Sequence, residues 1–160
     1  MHISAALIYS LAACALSIAL ESMFAGSGIK QRLAELQLPR FAPRLWGWIA
    51  IGVIYYAVCS TILYRLLSMP ETVTMRQWAL VLLGGMMFIN ALWNYFFFRS
   101  RNLFHAFALS LPYSILALAL FWMLLGLDRL TAWVLLPYIL YLFYAGAFGY
   151  GVWRLNQAAR

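Results

Sequence analysis

The chain has 160 residues, of which 66% are hydrophobic and only 9% charged, with a mean hydropathy of +0.86. A soluble domain of this length needs far more charge to cover its surface, so the composition excludes one and points to the bilayer as solvent. The net charge of +7 is spread over the loops as topology signals, and it is not a nucleic-acid surface.

Five apolar stretches reach the roughly 20 residues that cross a hydrocarbon core. They lie at about residues 3–25, 45–67, 77–98, 104–126 and 131–153. Each is predicted to be helical, because lipid offers no partner to an unpaired backbone group. The strict alternation of a membrane barrel is missing. The expected fold is all-α, an integral membrane bundle of five transmembrane helices forming one domain over residues 1–160.

The first span lacks the charged start of a signal peptide, has a long apolar run and carries Glu21 near its end. It is expected to stay in the mature protein. The loop after it is the longest. Gly26-Ser27-Gly28 ends the span, and "IKQRLAELQL" then puts Ile29, Leu33 and Leu36 on one helical stripe with charges opposite. That is the pattern of a short amphipathic helix at an interface. Pro39 and Pro43 break it before the second span. Such a helix either closes a cavity as a lid or lies passively on the membrane, and the residues favour neither.

Lys30, Arg32, Arg40, Arg44, Arg99, Arg101, Arg154 and Arg160 follow spans one, three and five. Arg65, Arg76 and Arg129 fall on the other side. The positive-inside rule puts the N-terminus outside, with the first loop and C-terminus in the cytoplasm. Short basic loops and compact length suit a bacterial inner membrane.

In the third span, "FINALWNYFFFRSRNLF" places Asn90 and Asn94 one turn apart on a shared face, with Trp93 beside them. An amide in hydrocarbon must find a partner. As glue between helices each is worth about 0.6–2 kcal/mol. In the second reading Asn90, the deeper one, lines a ligand pocket while Asn94 serves packing. Gly84 and Gly85 permit a close helix approach and are the expected seam of a homodimer.

Pro112 in span four and Pro137 in span five are expected to loosen their helices. Tyr141 and Tyr144 project together and, with Tyr138, offer an aromatic surface to a flat ligand with a polar edge. Trp46, Trp48, Trp78, Trp122, Trp133 and Trp153 fall near span ends, as headgroup belts require. Cys14 and Cys59 lie in different spans, and His2 and His105 stand apart. The spacing therefore offers no disulfide framework and no metal site. Phosphate loops and paired carboxylates are also missing from the sequence, so a conventional hydrolase or nucleotide enzyme is not expected.

These pieces make the chain resemble the TspO/MBR family, the translocator proteins once called peripheral benzodiazepine receptors and, in bacteria, tryptophan-rich sensory proteins. The resemblance covers about residues 36–156. "LPRFAPRLW" is similar to the family's Pro-rich entry to helix two, "NALWNYFFF" to its helix-three signature, and "AWVLLPYILY" followed by "RLN" to helix five. It implies a binder of flat hydrophobic ligands: porphyrin or haem among tetrapyrroles, sterols, and synthetic aromatics. It also implies a frequent homodimer, with no cofactor required. Asn90 and Trp93 match the helix-three pair near the family's ligand cavity. Trp46 and Trp48 match the aromatic pair opening helix two, and Pro137 and Tyr138 the helix-five pair.

The chain departs from the pattern at Gly52 and Tyr141, where the family usually has Trp, at Tyr95 for a Pro, and at Gly149 for an Asn. The two missing Trp are those linked to light-dependent porphyrin breakdown in some members, so the resemblance does not extend to that activity.

The expected protein is receptor- or transporter-like, with a ligand pocket lined by spans two, three and five under the first loop. Asn90 would meet a polar edge, and a loop-one arginine a propionate. A structural or regulatory membrane partner without its own ligand is the alternative, and a porphyrin-degrading enzyme the third reading.

Overall fold

The computed structural model describes residues 3–157; His2 and Arg160 lie outside them. The chain is 84% helical, with no strand among the described residues. Five segments are long and apolar enough to cross a membrane: Ser4–Ala25, Leu45–Ser68, Thr74–Arg99, Leu103–Leu127 and Arg129–Leu155. In chain order the elements are α1 (Ile3–Ala25), α2 (Ile29–Glu35), α3 (Leu45–Ser68), α4 (Thr74–Asn94), α5 (Leu103–Ala108), α6 (Ser110–Leu127) and α7 (Arg129–Leu155). A π-helical turn, Tyr95–Arg99, extends α4. Each spanning segment thus pairs its backbone groups within itself, as lipid demands.

The spans close into a ring. α1 packs on α3, α3 on α7, α7 on α6, α6 on α4, and α4 returns to α1. The ring order is therefore one, two, five, four, three. Small residues make some of these approaches possible. A methyl added at Gly85 would lie 2.9 Å from Leu116 of α6, whereas one at Gly84 would meet nothing within 4 Å. Gly85 serves packing within the chain, and Gly84 faces outward.

Two hydrophobic clusters fill the bundle. The larger, built around Ile62, Leu66, Leu83, Met86, Leu120, Leu124 and Leu135, fills the half next to the α3–α4 and α6–α7 connections. The smaller gathers Leu36, Phe97, Ala106, Phe148 and Val152 at the end covered by the first loop.

At the α6–α7 connection Asp128 caps α7, accepting from the Leu130 backbone N–H at 3.2 Å and from the Thr131 hydroxyl at 2.5 Å. Arg65 Nε donates to the same carboxylate at 2.5 Å, and its guanidinium holds the Asp128 carboxyl down to about 2. Arg76 is buried, and its Nε donates at 2.7 Å to the Leu66 carbonyl, which also accepts from the Met69 backbone N–H at 3.2 Å at the end of α3. Two of the three basic residues on this side thus have partners within the fold.

Pro112 loosens its span, as expected. Span four breaks at Leu109, one turn before Pro112, and Pro112 sits in the first turn of α6. A missing N–H costs nothing there, because first-turn donors have no helical acceptor. Pro137 lies inside α7, which continues through it.

Candidate functional site

A cavity of about 380 Å³ opens between the two clusters, within the range of small-molecule sites. All five spans contribute to its walls, and Ile29 and Leu33 of α2 cover it. The stripe that made α2 amphipathic therefore faces the cavity, and the first loop is a lid. The lid is fastened at several points. The Asn156 side chain holds both backbone groups of Gln37: the Gln37 N–H donates to Oδ1 at 3.1 Å, and Nδ2 donates to the Gln37 carbonyl at 3.0 Å. Tyr144 donates its hydroxyl to the Phe41 carbonyl at 2.9 Å. Arg32 Nε donates to the Phe97 carbonyl at 3.4 Å. Pro39 rests on Gly151, where an added methyl would lie 3.5 Å from the ring.

Of the residues singled out from sequence, Trp48, Asn90, Trp93, Tyr138 and Tyr141 line the cavity, and so does Asn94, which was expected to serve packing alone. Trp93 stacks on Phe97 with ring centroids 4.7 Å apart, and Trp48 meets Phe148 edge-on at 4.8 Å. Trp46, Pro137 and Tyr144 do not line it. Trp46 is 69% exposed, because two residues along a helix turn it roughly away from Trp48. Pro137 precedes Tyr138 and faces out of the bundle. Tyr144, one turn beyond Tyr141, reaches the lid instead.

The polar side of the cavity centres on a residue that the sequence reading set aside. Glu21 of α1 faces the cavity, and its Oε1 accepts from the Asn90 amide and, at 2.5 Å, from the Tyr56 hydroxyl. Tyr56 Oη also lies 3.1 Å from Ser17 Oγ. Asn94 donates to the Asn90 backbone carbonyl of its own helix at 3.1 Å. Asn90 therefore carries the bond between helices, and Asn94 a local one.

Three further tyrosines line the inner wall. Tyr113 and Tyr138 share a hydrogen bond of 2.8 Å. Tyr55, only 3% exposed, has a hydroxyl beside Tyr113 and Cys59 that meets neither in hydrogen-bond geometry. The rings of Tyr56, Tyr55, Tyr138 and Tyr141 follow one another at centroid distances of 5.0, 5.1 and 5.6 Å. The only sequence signal for Glu21 was an acid near the end of an apolar span. Tyr55, Tyr56 and Tyr113 gave no signal beyond their type.

Gly52 also lines the cavity, and a methyl added there would meet nothing within 4 Å. The helix face that carries Trp in the resembling pattern is here open space.

No curated protein matches the chain. The model of the TspO/MBR family matches residues 10–154, nearly the whole chain. A five-helix membrane bundle with an aromatic cavity under its first loop agrees with that match. The chain belongs to the TspO/MBR family, and membership supports a membrane role, in general terms, in binding sterols or porphyrins or in transport.

Proposed function

We propose that the protein binds one flat hydrophobic ligand in the cavity under the first loop, with porphyrin or haem the first choice and a sterol the second. The observation that carries this reading is the cavity itself: Trp48, Trp93, Tyr138 and Tyr141 line one space, with Glu21 and Asn90 among its polar groups. Aromatic faces stack on a planar ligand, and a few fixed polar groups set its orientation. A first-loop arginine would meet a propionate at the mouth. Release and entry proceed by movement of the lid.

The same reading includes an N-terminus outside, a cytoplasmic first loop and C-terminus, and a bacterial inner membrane. The basic residues around the lid and the fold partners of Arg65 and Arg76 support it. It also includes a homodimer through the outward face of α4 at Gly84. Titration of the protein in detergent with haem, protoporphyrin and a sterol, read by Trp quenching, tests the binding. Saturation at one ligand per chain supports it, and unsaturable partition of all three refutes it.

A further inference from the structure

Glu21 is the one acidic side chain within the five spans among the described residues. Its Oε1 already has two donors, Tyr56 and Asn90. Among the described residues, Oε2 makes no hydrogen bond and no Lys or Arg lies within ion-pair distance of the carboxylate. Glu21 nevertheless borders a cavity whose walls are mostly aliphatic and aromatic. A carboxylate facing such walls is costly without a counter-charge. Ionisable groups placed inside a membrane and turned to a cavity mark the path or site of a polar ligand group. The rings of Tyr55, Tyr56 and Trp93 in the same cavity attract positive charge to their faces.

Among the described residues the protein thus offers an acceptor with one oxygen in reserve and supplies it no positive charge.

We propose that the cavity also accepts, and holds more tightly than their neutral analogues, ligands carrying a positively charged nitrogen, a protonated amine or amidine on a flat apolar body, with Glu21 as its counter-ion. This rests on the reading of the cavity as a ligand site. The nitrogen donates to Oε2, while Tyr56 and Asn90 keep the carboxylate in place. Anionic groups of a ligand are turned away from this wall toward the mouth.

The test compares 9-aminoacridine, a flat cation at neutral pH, with acridine at pH 8, its neutral analogue, by titration in an uncharged detergent. The wild-type protein is expected to prefer the cation by about tenfold, the ratio that roughly 1.4 kcal/mol provides. Glu21→Gln, which keeps the shape and the Asn90 contact, should bring the two affinities together, chiefly by weakening 9-aminoacridine. Glu21→Asp, which keeps the charge, should retain a preference for the cation. Equal affinities in the wild type, or a preference that survives Glu21→Gln, would overturn the proposal while leaving the cavity a ligand site. If neither probe saturates the wild-type protein, the proposal and the cavity reading fail together.

Discussion

The Asn90 amide donates to the Glu21 carboxylate and so ties α4 to α1 across the cavity wall. Its partner in the free protein is thus another side chain. Removing one member of a buried polar pair leaves the other unsatisfied, at about 1–3 kcal/mol. Asn90→Leu is therefore expected to lower thermal stability in detergent by that amount. Asn94→Leu, which gives up only a bond to its own helix, should cost less. Thermal unfolding of the two variants side by side decides it, and a larger loss for Asn94→Leu would contradict the assignment.

Tyr55 gives the opposite sign. Its hydroxyl is buried without a partner, so Tyr55→Phe removes a desolvated group and keeps the ring that packs against Tyr138. The variant should be as stable as the wild type or more so, by up to about 1–3 kcal/mol. A clear drop in melting temperature would mean that the hydroxyl has a partner.

Acid should act through Asp128. Arg65 holds this carboxyl at about 2, below its ordinary value of 3.8. A carboxyl depressed by folding contributes stability that is complete above its unfolded value and disappears as the pH falls through the folded one. The advantage of the wild type over Asp128→Asn should hold at pH 5 and shrink between about pH 4 and pH 2. Melting curves of both proteins across that range check the window.

If the proposed homodimer packs on α4, its neighbouring glycines separate fold from assembly. Gly85 faces Leu116 at contact distance, so Gly85→Leu overpacks the α4–α6 seam and should cost about 1–3 kcal/mol. Gly84 faces open space, so Gly84→Leu should leave the melting temperature unchanged and shift the dimer toward monomer in detergent. Light scattering reads the mass, and an unchanged dimer would move the interface away from this face.

The five spans and the amphipathic lid helix were legible because both rest on local pattern: apolar length for a span, a 3.6-residue stripe for α2. The interruption of span four at Leu109 was legible too, because Pro112 has no N–H to offer the carbonyl one turn back. In the site, Trp48, Asn90, Trp93, Tyr138 and Tyr141 could be named before the fold was known. Glu21 could not, because only the ring order shows that α1 lies beside α4 and α3 at that level. Which oxygen is used and which hydroxyl is left over are facts of packing, and no spacing in one chain encodes them. Trp46 and Tyr144 show the same limit: their type suited the site, and their helical phase sent them elsewhere.

The central claim is that the ligand occupies the cavity and not the surrounding detergent or the outer aromatic belt. Gly52 gives direct access to that claim, because its open position lets a larger side chain enter the cavity without displacing the helix. The decisive measurement is a protoporphyrin titration of wild type and Gly52→Phe, followed by Trp quenching, with a melting curve on each to show that both are folded. The account predicts saturable quenching at one ligand per chain for the wild type and at least about tenfold weaker binding for Gly52→Phe, roughly 1.4 kcal/mol or more. Identical titrations of the two folded proteins would place the ligand outside the cavity and contradict it.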